Sequence, residues 1–248
     1  MDASISILII SALVFLLAGF VKGVIGLGLP TVSMGLLALS MTPAQAAALL
    51  VVPSLVTNVW QMVVGPSLWP LLRRLWPMMI GIGVGTWLGA GVLSISEANA
   101  ATTGLGIALI VYALTGLTSI RFHVSARAER WLAPVIGATT GAITAWTGVF
   151  VIPAVPYLQA IGLEKEDLVQ ALGLSFTVST LALAGILVWS GAFAISIAAG
   201  SLVAIVPALI GMGVGQRLRR RAPPEKFRRW FFIGLLLLGA HLALRGVL

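Results

Sequence analysis

The sequence predicts an all-α polytopic membrane protein: an inverted repeat of two halves, each with one interrupted hairpin pair of helices and three membrane-spanning helices. Three observations predict this class. The chain has 248 residues, of which 59% are hydrophobic and only 9% charged, whereas a soluble domain carries about 25% charged residues. Many apolar stretches approach the roughly 20 residues that cross a bilayer. Finally, the two halves of the chain share sequence motifs.

Apolar blocks follow one another along the chain and predict 8–10 membrane segments. They cover residues 4–22, 29–41, 44–64, 70–94, 98–119, 131–143, 149–162, 167–189, 194–218 and 228–247. Most are long enough to span a bilayer. The blocks at 29–41, 131–143 and 149–162 are short and lie beside interruptions rich in Gly, Pro or Thr. The first block has no preceding basic residue, so we expect it to be retained rather than cleaved as a signal peptide.

The two halves match at fixed spacings. Residues 77–88 (PMMIGIGVGTWL) and 207–218 (PALIGMGVGQRL) are identical at seven of twelve positions. Upstream, Gly19, Gly23 and Ile25 precede Gly137, Gly141 and Ile143 by 118 residues. This order predicts a duplication, with a first transmembrane repeat at 1–119, a cytoplasmic linker at 120–130 and a second transmembrane repeat at 131–248.

Loop charges predict that the two copies are inverted. The loop before Pro77 carries Arg73 and Arg74, whereas its counterpart before Pro207 carries no basic residue. The loop 94–100 has no basic residue, but its counterpart at 217–229 has seven. Because basic loops stay in the cytoplasm, matching loops lie on opposite sides. We therefore expect a multi-pass protein of a bacterial inner membrane with both termini in the periplasm, and Arg121, Arg127, Arg130 and Lys165 inside.

The interruptions at 23–30 and 141–153 predict the binding site. In many transporters built from inverted repeats, the substrate lies near the bilayer midplane between broken helices. A helix N-terminus offers unpaired N–H donors and a partial positive charge. We therefore expect two such ends to face each other halfway through the bilayer and to hold an anion. The candidate substrate-binding residues are Lys22, Gly23, Gly26, Gly28, Asn58, Thr144, Trp146, Thr147, Gly148, Ser175 and Ser179.

Each candidate also has a structural interpretation. Small residues such as Gly23 let membrane helices pack closely. Lys22 either binds ligand at membrane depth or extends its side chain to a nearby interface. Hydroxyl groups, including those of Ser54, Thr57 and Thr180 nearby, often bond the backbone of their own helix. Asn58 is harder to explain in this way, because a lone amide in an apolar helix needs partners.

Composition argues against several other functions. The chain has no cysteine and two histidines, and all seven acidic residues fall in predicted loops or termini. We therefore expect no metal, no cofactor and no set of catalytic side chains. The net charge of +8 lies mostly in loops beside membrane segments, so we expect contact with the lipid bilayer and not with nucleic acid. A site with basic groups and no acids favours a small anion.

The ordered motifs resemble one known family. GFVKGVIGLGLP near the start, VIPAVPYLQAIGL, VQALGLSFTVST and the two GxGxG helices are similar to those of the sulfite exporter (TauE/SafE) family. The resemblance covers nearly the whole chain and implies a carrier, an exporter of sulfite or of sulfur-containing organic anions such as sulfoacetate. Trp146 stands where the family commonly has glycine. A passive anion or small-solute channel and a membrane enzyme or assembly subunit are the rival hypotheses, and the sequence leaves homo-oligomerisation open.

Overall fold

The computed structural model describes residues 3–93, 98–118, 123–193, 195–221 and 225–246, and every regular element in them is a helix. The first half contains α1 (Ala3–Ile25), α2 (Leu29–Leu37), α3 (Pro43–Val63), α4 (Leu68–Leu93) and α5 (Ala98–Leu117). The second half contains α6 (Ala126–Thr147), α7 (Ala154–Ala160), α8 (Lys165–Trp189), α9 (Ile195–Val203), α10 (Ile205–Arg221) and α11 (Glu225–Arg245). The all-helical class predicted from the sequence is confirmed.

Several of these helices are built to cross a membrane. Six described stretches are long and apolar enough: Leu8–Ile25, Pro43–Val63, Asn99–Leu117, Lys165–Trp189, Ala199–Arg221 and Glu225–Arg245. Large apolar side chains such as Leu88, Trp131 and Val188 point away from the bundle, and a soluble protein rarely exposes so much contiguous apolar surface. The chain is a multi-pass membrane protein.

The short apolar blocks have different structures. Two of them give the short helices α2 and α7, but the block 131–143 lies inside the 22-residue helix α6. This helix begins at Ala126, within the predicted linker, because the Ser125 hydroxyl accepts a hydrogen bond from the Ala128 N–H at 3.4 Å and caps it. Because its first turns carry charged residues, they were not part of the predicted apolar block, and the helix is longer than that block. The block 194–218 divides into α9 and α10, and Pro207 lies in the first turn of α10, where a proline is tolerated.

Two glycine seams join the halves of the chain: α1 packs along α10, and α4 packs along α6. A side chain at Gly19 of α1 would strike the carbonyl of Ala208, and one at Gly137 of α6 would strike the carbonyl of Met78. These positions match, because Gly137 follows Gly19 by 118 residues and Ala208 follows Met78 by 130. Two further pairs of contacts match at the same spacings. The contact of Gly23 with Met212 corresponds to that of Gly141 with Ile82, and the contact of Gly211 with Leu16 corresponds to that of Gly81 with Pro134. The repeated sequence therefore builds the same close contact twice.

Helices at matching places in the two halves run antiparallel. Near the start of α8, Gly173 packs against Met62 near the end of α3, whereas Thr180 further along α8 meets Ser54. The α5–α11 pair follows the same rule, with Gly116 against Phe232 and Gly246 against Thr103. This arrangement is compatible with an inverted repeat; the orientation in the bilayer stays a prediction.

One end of the bundle gathers most of the positive charge. The Ser67 N–H donates to the Gln170 side chain at 2.7 Å, and the Arg74 guanidinium donates to the Ile161 carbonyl at 2.9 Å, which brings the starts of α4 and α8 and the end of α7 together. We call this end the basic face. Its basic residues are Arg73, Arg74, Arg127, Arg130, Lys165, Arg217, Arg219, Arg220, Arg221, Lys226, Arg228 and Arg229. Arg245 lies at the other end of α11 and donates to the Leu39 carbonyl at 2.9 Å. Arg121, the chain termini and residues 94–97 lie outside the described residues.

Candidate functional site

Lys22 is buried in the interior of the bundle. It lies in the last turn of α1 with 3% of its surface exposed. Its Nζ donates to Thr57 Oγ1 at 3.1 Å and to the side-chain oxygen of Asn58, both on α3. A charged ammonium has three hydrogens to donate, so in the described part of the chain one remains without a partner. The lysine therefore points into the protein and does not reach for an interface.

A polar network holds the acceptors of this lysine in place. The Asn58 amide nitrogen donates to Ser54 Oγ at 2.9 Å, and Ser54 Oγ lies 3.3 Å from Thr180 Oγ1 on α8. Thr57 Oγ1 donates to the Pro53 carbonyl at 2.8 Å. We call Lys22, Ser54, Thr57, Asn58 and Thr180 the central polar cluster; all five are buried. Because its bonds link α1, α3 and α8, the cluster fixes the ammonium where these helices meet.

Two hydroxyls on α8 lack partners. Ser175 and Ser179 lie one helical turn apart, and their Oγ atoms are buried without a hydrogen-bond partner among the described residues. By contrast, Thr177 and Thr180 on the same helix each donate to the carbonyl four residues back. A buried group without its hydrogen bond costs about 1–3 kcal/mol. Ser175 and Ser179 thus keep a hydrogen-bonding capacity that Thr177 and Thr180 have already used within α8.

The glycines of the two interruptions contact different parts of α3. Gly26 ends α1 with φ +85°, and its carbonyl accepts a hydrogen bond from Gln61 near the end of α3 at 3.3 Å. Gly148 ends α6 with φ +69°, and a side chain there would contact Ala47 near the start of α3. From Ala47 to Gln61, α3 rises about 21 Å at 1.5 Å per residue. The C-terminal ends of α1 and α6 therefore lie towards different faces, whereas the meeting of two helix N-termini, those of α2 and α7, stays a prediction.

A comparison with protein-family models decides the family. The model described as sulfite exporter TauE/SafE matches residues 11–242, nearly the whole chain. The chain belongs to this family. Membership implies a membrane transporter of sulfur-containing anions, and members of the family are transporters rather than enzymes. No curated protein and no solved structure matches the chain.

Several of the residues predicted for the site of this TauE/SafE chain lie away from the central polar cluster. Gly23 packs against the backbone of α10. Thr144 Oγ1 and Thr147 Oγ1 donate to carbonyls of their own helix at 2.7 and 2.8 Å. Trp146 is 40% exposed and packs against Gly104 of α5. For these four residues the structure supports helix packing and local hydrogen bonding.

Gly28 serves the turn between α1 and α2. It precedes α2 with φ +107°, a conformation that favours glycine, and a side chain there would strike Val21. Its carbonyl accepts a hydrogen bond from Thr31 Oγ1 at 3.0 Å. Gly26 and Gly28 thus shape the chain just after Lys22 without contributing a side chain to the cluster.

The charges around the cluster suit an anion. Glu129 pairs with Arg74 at 2.6 Å on the basic face, and the other described acidic residues stand at the starts of α8 and α11. Asp2 and Glu97 lie outside the described residues. Within the described chain the Lys22 ammonium therefore has no negatively charged partner, and no three His, Asp or Glu side chains group as metal ligands would.

Three members of the cluster, Ser54, Thr57 and Thr180, were not among the residues predicted for the site. Ser54, Thr57 and Asn58 stand at spacings of three and four residues, which places them on one face of α3, and this signal was available. The contact of that face with Thr180 was not visible in the sequence, because Ser54 and Thr180 are 126 residues apart along the chain.

Proposed function

We propose that this chain is a secondary transporter that exports a small sulfur-containing anion, sulfite or a sulfonate such as sulfoacetate, and binds it at Lys22. The observation that carries the proposal is the buried ammonium with only neutral oxygens as partners. A charged side chain at membrane depth costs roughly 2.5–3.5 kcal/mol on the insertion scale. A bound anion offsets that cost and takes the remaining N–H.

We also assign Ser175 and Ser179 of α8 to the proposed site, because each has a buried hydroxyl that an oxygen of the anion could bond. A sulfite or sulfonate group offers three oxygens as acceptors, one beside Lys22 Nζ and others for Ser175 and Ser179. Each serine would then regain the hydrogen bond that it lacks. The charge-assisted hydrogen bond from Lys22 to the anion contributes about 1.5–3 kcal/mol, which is enough to select an oxyanion over a neutral solute.

The glycine seams favour a particular form of alternating access. Because α1 is held to α10 and α4 to α6, every seam joins one half of the chain to the other. Movement of one complete half against the other would break both seams. We therefore propose that the pairs α1–α10 and α4–α6 move as bodies against α3 and α8. Lys22 would travel with α1, and the anion would set its distance from α8.

The charge distribution supports an orientation. With the basic face in the cytoplasm, both termini lie in the periplasm of a bacterial inner membrane. The chain contains no cysteine, so Thr118→Cys on the basic face and Ser40→Cys on the opposite face each introduce a single thiol. We expect a membrane-impermeant maleimide to label the Ser40→Cys variant from outside and the Thr118→Cys variant only from the cytoplasm. Labelling of both variants from one side would contradict this orientation.

Counterflow in proteoliposomes tests the function. Vesicles loaded with unlabelled sulfite should take up radiolabelled sulfite faster and to a transient excess, because a carrier exchanges one anion for another. Lys22→Met should abolish this exchange. Uptake that never saturates and shows no counterflow would identify the passive channel instead, and unchanged exchange in Lys22→Met would remove Lys22 from the site.

A further inference from the structure

A cavity of about 630 Å³ opens on the basic face, away from the central polar cluster. It lies between the end of α1, the end of α5, the α7 helix and the start of α11. Ile25, Leu27, Val155 and Phe232 supply apolar walls. Sites for small organic molecules commonly measure about 300–1,000 Å³, so the cavity is of a size that takes an organic ligand.

Tyr112 gives this cavity an unused hydrogen-bond donor. It lines the cavity and is 2% exposed, and its hydroxyl is buried without a partner among the described residues. Its ring packs edge-on against Phe232, with centroids 5.3 Å apart. A buried hydroxyl normally has a hydrogen-bond partner, and a ligand in the cavity would provide one.

Arg228 gives the cavity a positive charge. It lies in the first turns of α11, and no acidic residue among those described lines the cavity with it. Among the described residues the one salt bridge joins Arg74 to Glu129, so the Arg228 guanidinium has no acidic partner there. A guanidinium and a hydroxyl donor beside apolar walls match an anion that carries a short hydrocarbon group.

The inner wall of the cavity belongs to the first interruption of the chain. Ile25 and Leu27 line the cavity, while the carbonyl of Gly26 between them accepts a hydrogen bond from Gln61 on α3. Lys22 lies one helical turn before Gly26. The backbone of this interruption therefore separates the cavity from the side of α1 that carries the central polar cluster.

We propose that this cavity is a second binding site, which holds an organic anion on the basic face before the anion moves to Lys22. The proposal rests on the proposed function. Arg228 opposes the charge of the anion, Tyr112 donates a hydrogen bond to one of its oxygens, and the apolar walls cover its hydrocarbon part. The site favours alkanesulfonates over sulfite, because sulfite has no group for the apolar walls.

Sided transport assays test this site. Uptake of methane-, ethane- and propanesulfonate is measured in oriented proteoliposomes from each face in turn, with phosphatidylcholine as the lipid. From the basic face KM should fall about fourfold per added methylene, given about 0.8 kcal/mol for each buried CH₂. Arg228→Gln should raise KM about 10-fold and Tyr112→Phe about threefold, from the basic face only. Arg229→Gln, a neighbouring arginine that does not line the cavity, should leave KM unchanged.

The outcomes separate this site from the one at Lys22. Equal changes of KM from both faces, or none, would overturn the second site. If the effect of Arg228→Gln appears only after phosphatidylglycerol is added, the cavity holds a lipid headgroup and the proposal fails as well. Equilibrium binding of propanesulfonate by Lys22→Met should persist, and the further change Arg228→Gln should remove it. Transport by Lys22→Met would contradict the proposed function, whereas loss of propanesulfonate binding in that variant would contradict the separate cavity site.

Discussion

The two interruptions of the chain share a helix contact and differ in chemistry. Gly23 and Gly141 stand at matching positions, and each lies against the backbone of a helix from the other half. One residue earlier, the first half has Lys22, whose ammonium reaches α3, and the second half has Thr140, whose hydroxyl donates to the carbonyl of Ile136 in its own helix at 2.7 Å. The matching segments share this packing, but only the first contains the buried charge. We infer that binding depends on this departure from the repeat.

Adding a side chain at a seam glycine should destabilise the protein equally in both halves, and this loss of stability is the largest effect that we expect. Gly85→Val and Gly215→Val place a side chain against the carbonyls of Ala138 and Phe20. Overpacking costs about 1–3 kcal/mol, and the upper end applies because backbone cannot move aside as a side chain does. Both variants should unfold at a clearly lower temperature than the wild type in detergent, measured by thermal unfolding and size-exclusion chromatography.

Matched glycines provide the control for the seams. Gly83 and Gly213 occupy equivalent positions on the same two helices, and a side chain at either meets nothing within 4 Å. Gly83→Val and Gly213→Val should therefore unfold near the wild-type temperature. Loss of stability in only one half would show that the two seams are not equivalent.

The charge of Lys22, which the second half lacks, should contribute most to anion binding. Lys22→Met removes a charge-assisted hydrogen bond to the anion, worth about 1.5–3 kcal/mol, so the dissociation constant for sulfite should rise about 10- to 100-fold. Thr140→Val, at the matching position, should change it little, because the Thr140 hydroxyl is already bonded within α6. Isothermal titration calorimetry gives both constants. Similar losses in the two variants would mean that the halves contribute alike.

Removing the support of the lysine should have a smaller effect. Asn58→Ala takes away one acceptor of Lys22 and the link to Ser54, so the ammonium loses its fixed position. The dissociation constant should rise about 10-fold, in line with one hydrogen bond to a charged group. Thr180→Val, which removes a weaker contact at 3.5 Å from the Asn58 amide, should raise it less. A larger effect for Thr180→Val would place the ligand on α8 and not beside Lys22.

The serines of α8 should show the smallest change. Ser175→Ala and Ser179→Ala each remove one hydrogen bond to the ligand, which corresponds to about a threefold weaker binding at about 0.7 kcal/mol per neutral bond. Thr177→Val on the same helix is the control, because its hydroxyl donates to the Gly173 carbonyl at 2.7 Å. Both serine variants should also be slightly more stable without ligand, since a buried unpaired hydroxyl disappears.

Much of the fold follows from patterns that depend on neighbouring residues. Long apolar runs predicted the spanning helices, and Thr42 with Pro43 and Gln45 marks the start of α3, where a capping box forms. The start of α6 was missed, because Arg127, Glu129 and Arg130 read as a loop in a hydropathy plot although they continue a capped helix. Hydropathy indicates whether a residue prefers lipid or water, and it does not indicate the backbone conformation of that residue.

The site was only partly predictable, for a different reason. Lys22 and Asn58 stand out because a buried charge and a buried amide are costly, and the structure brings them together. Glycine spacing does not encode depth in the bilayer, so it could not place Gly26 near the end of α3 and Gly148 near its start. Trp146 faces outward because the packing of α6 against α4 sets which side of α6 is buried. That packing is a tertiary contact, which the local sequence around Trp146 does not show.

The location of a bound anion is the most direct measurement. Crystals of the protein grown with selenite, which resembles sulfite and scatters anomalously, would give an anomalous peak at the selenium. We expect this peak one Se–O bond beyond the oxygen that accepts a hydrogen bond from Lys22 Nζ, beside the central polar cluster. A peak only in the cavity of Arg228 or at the lipid-facing surface, with Lys22 still bonded to Thr57 and Asn58 alone, would contradict a central anion site at this lysine.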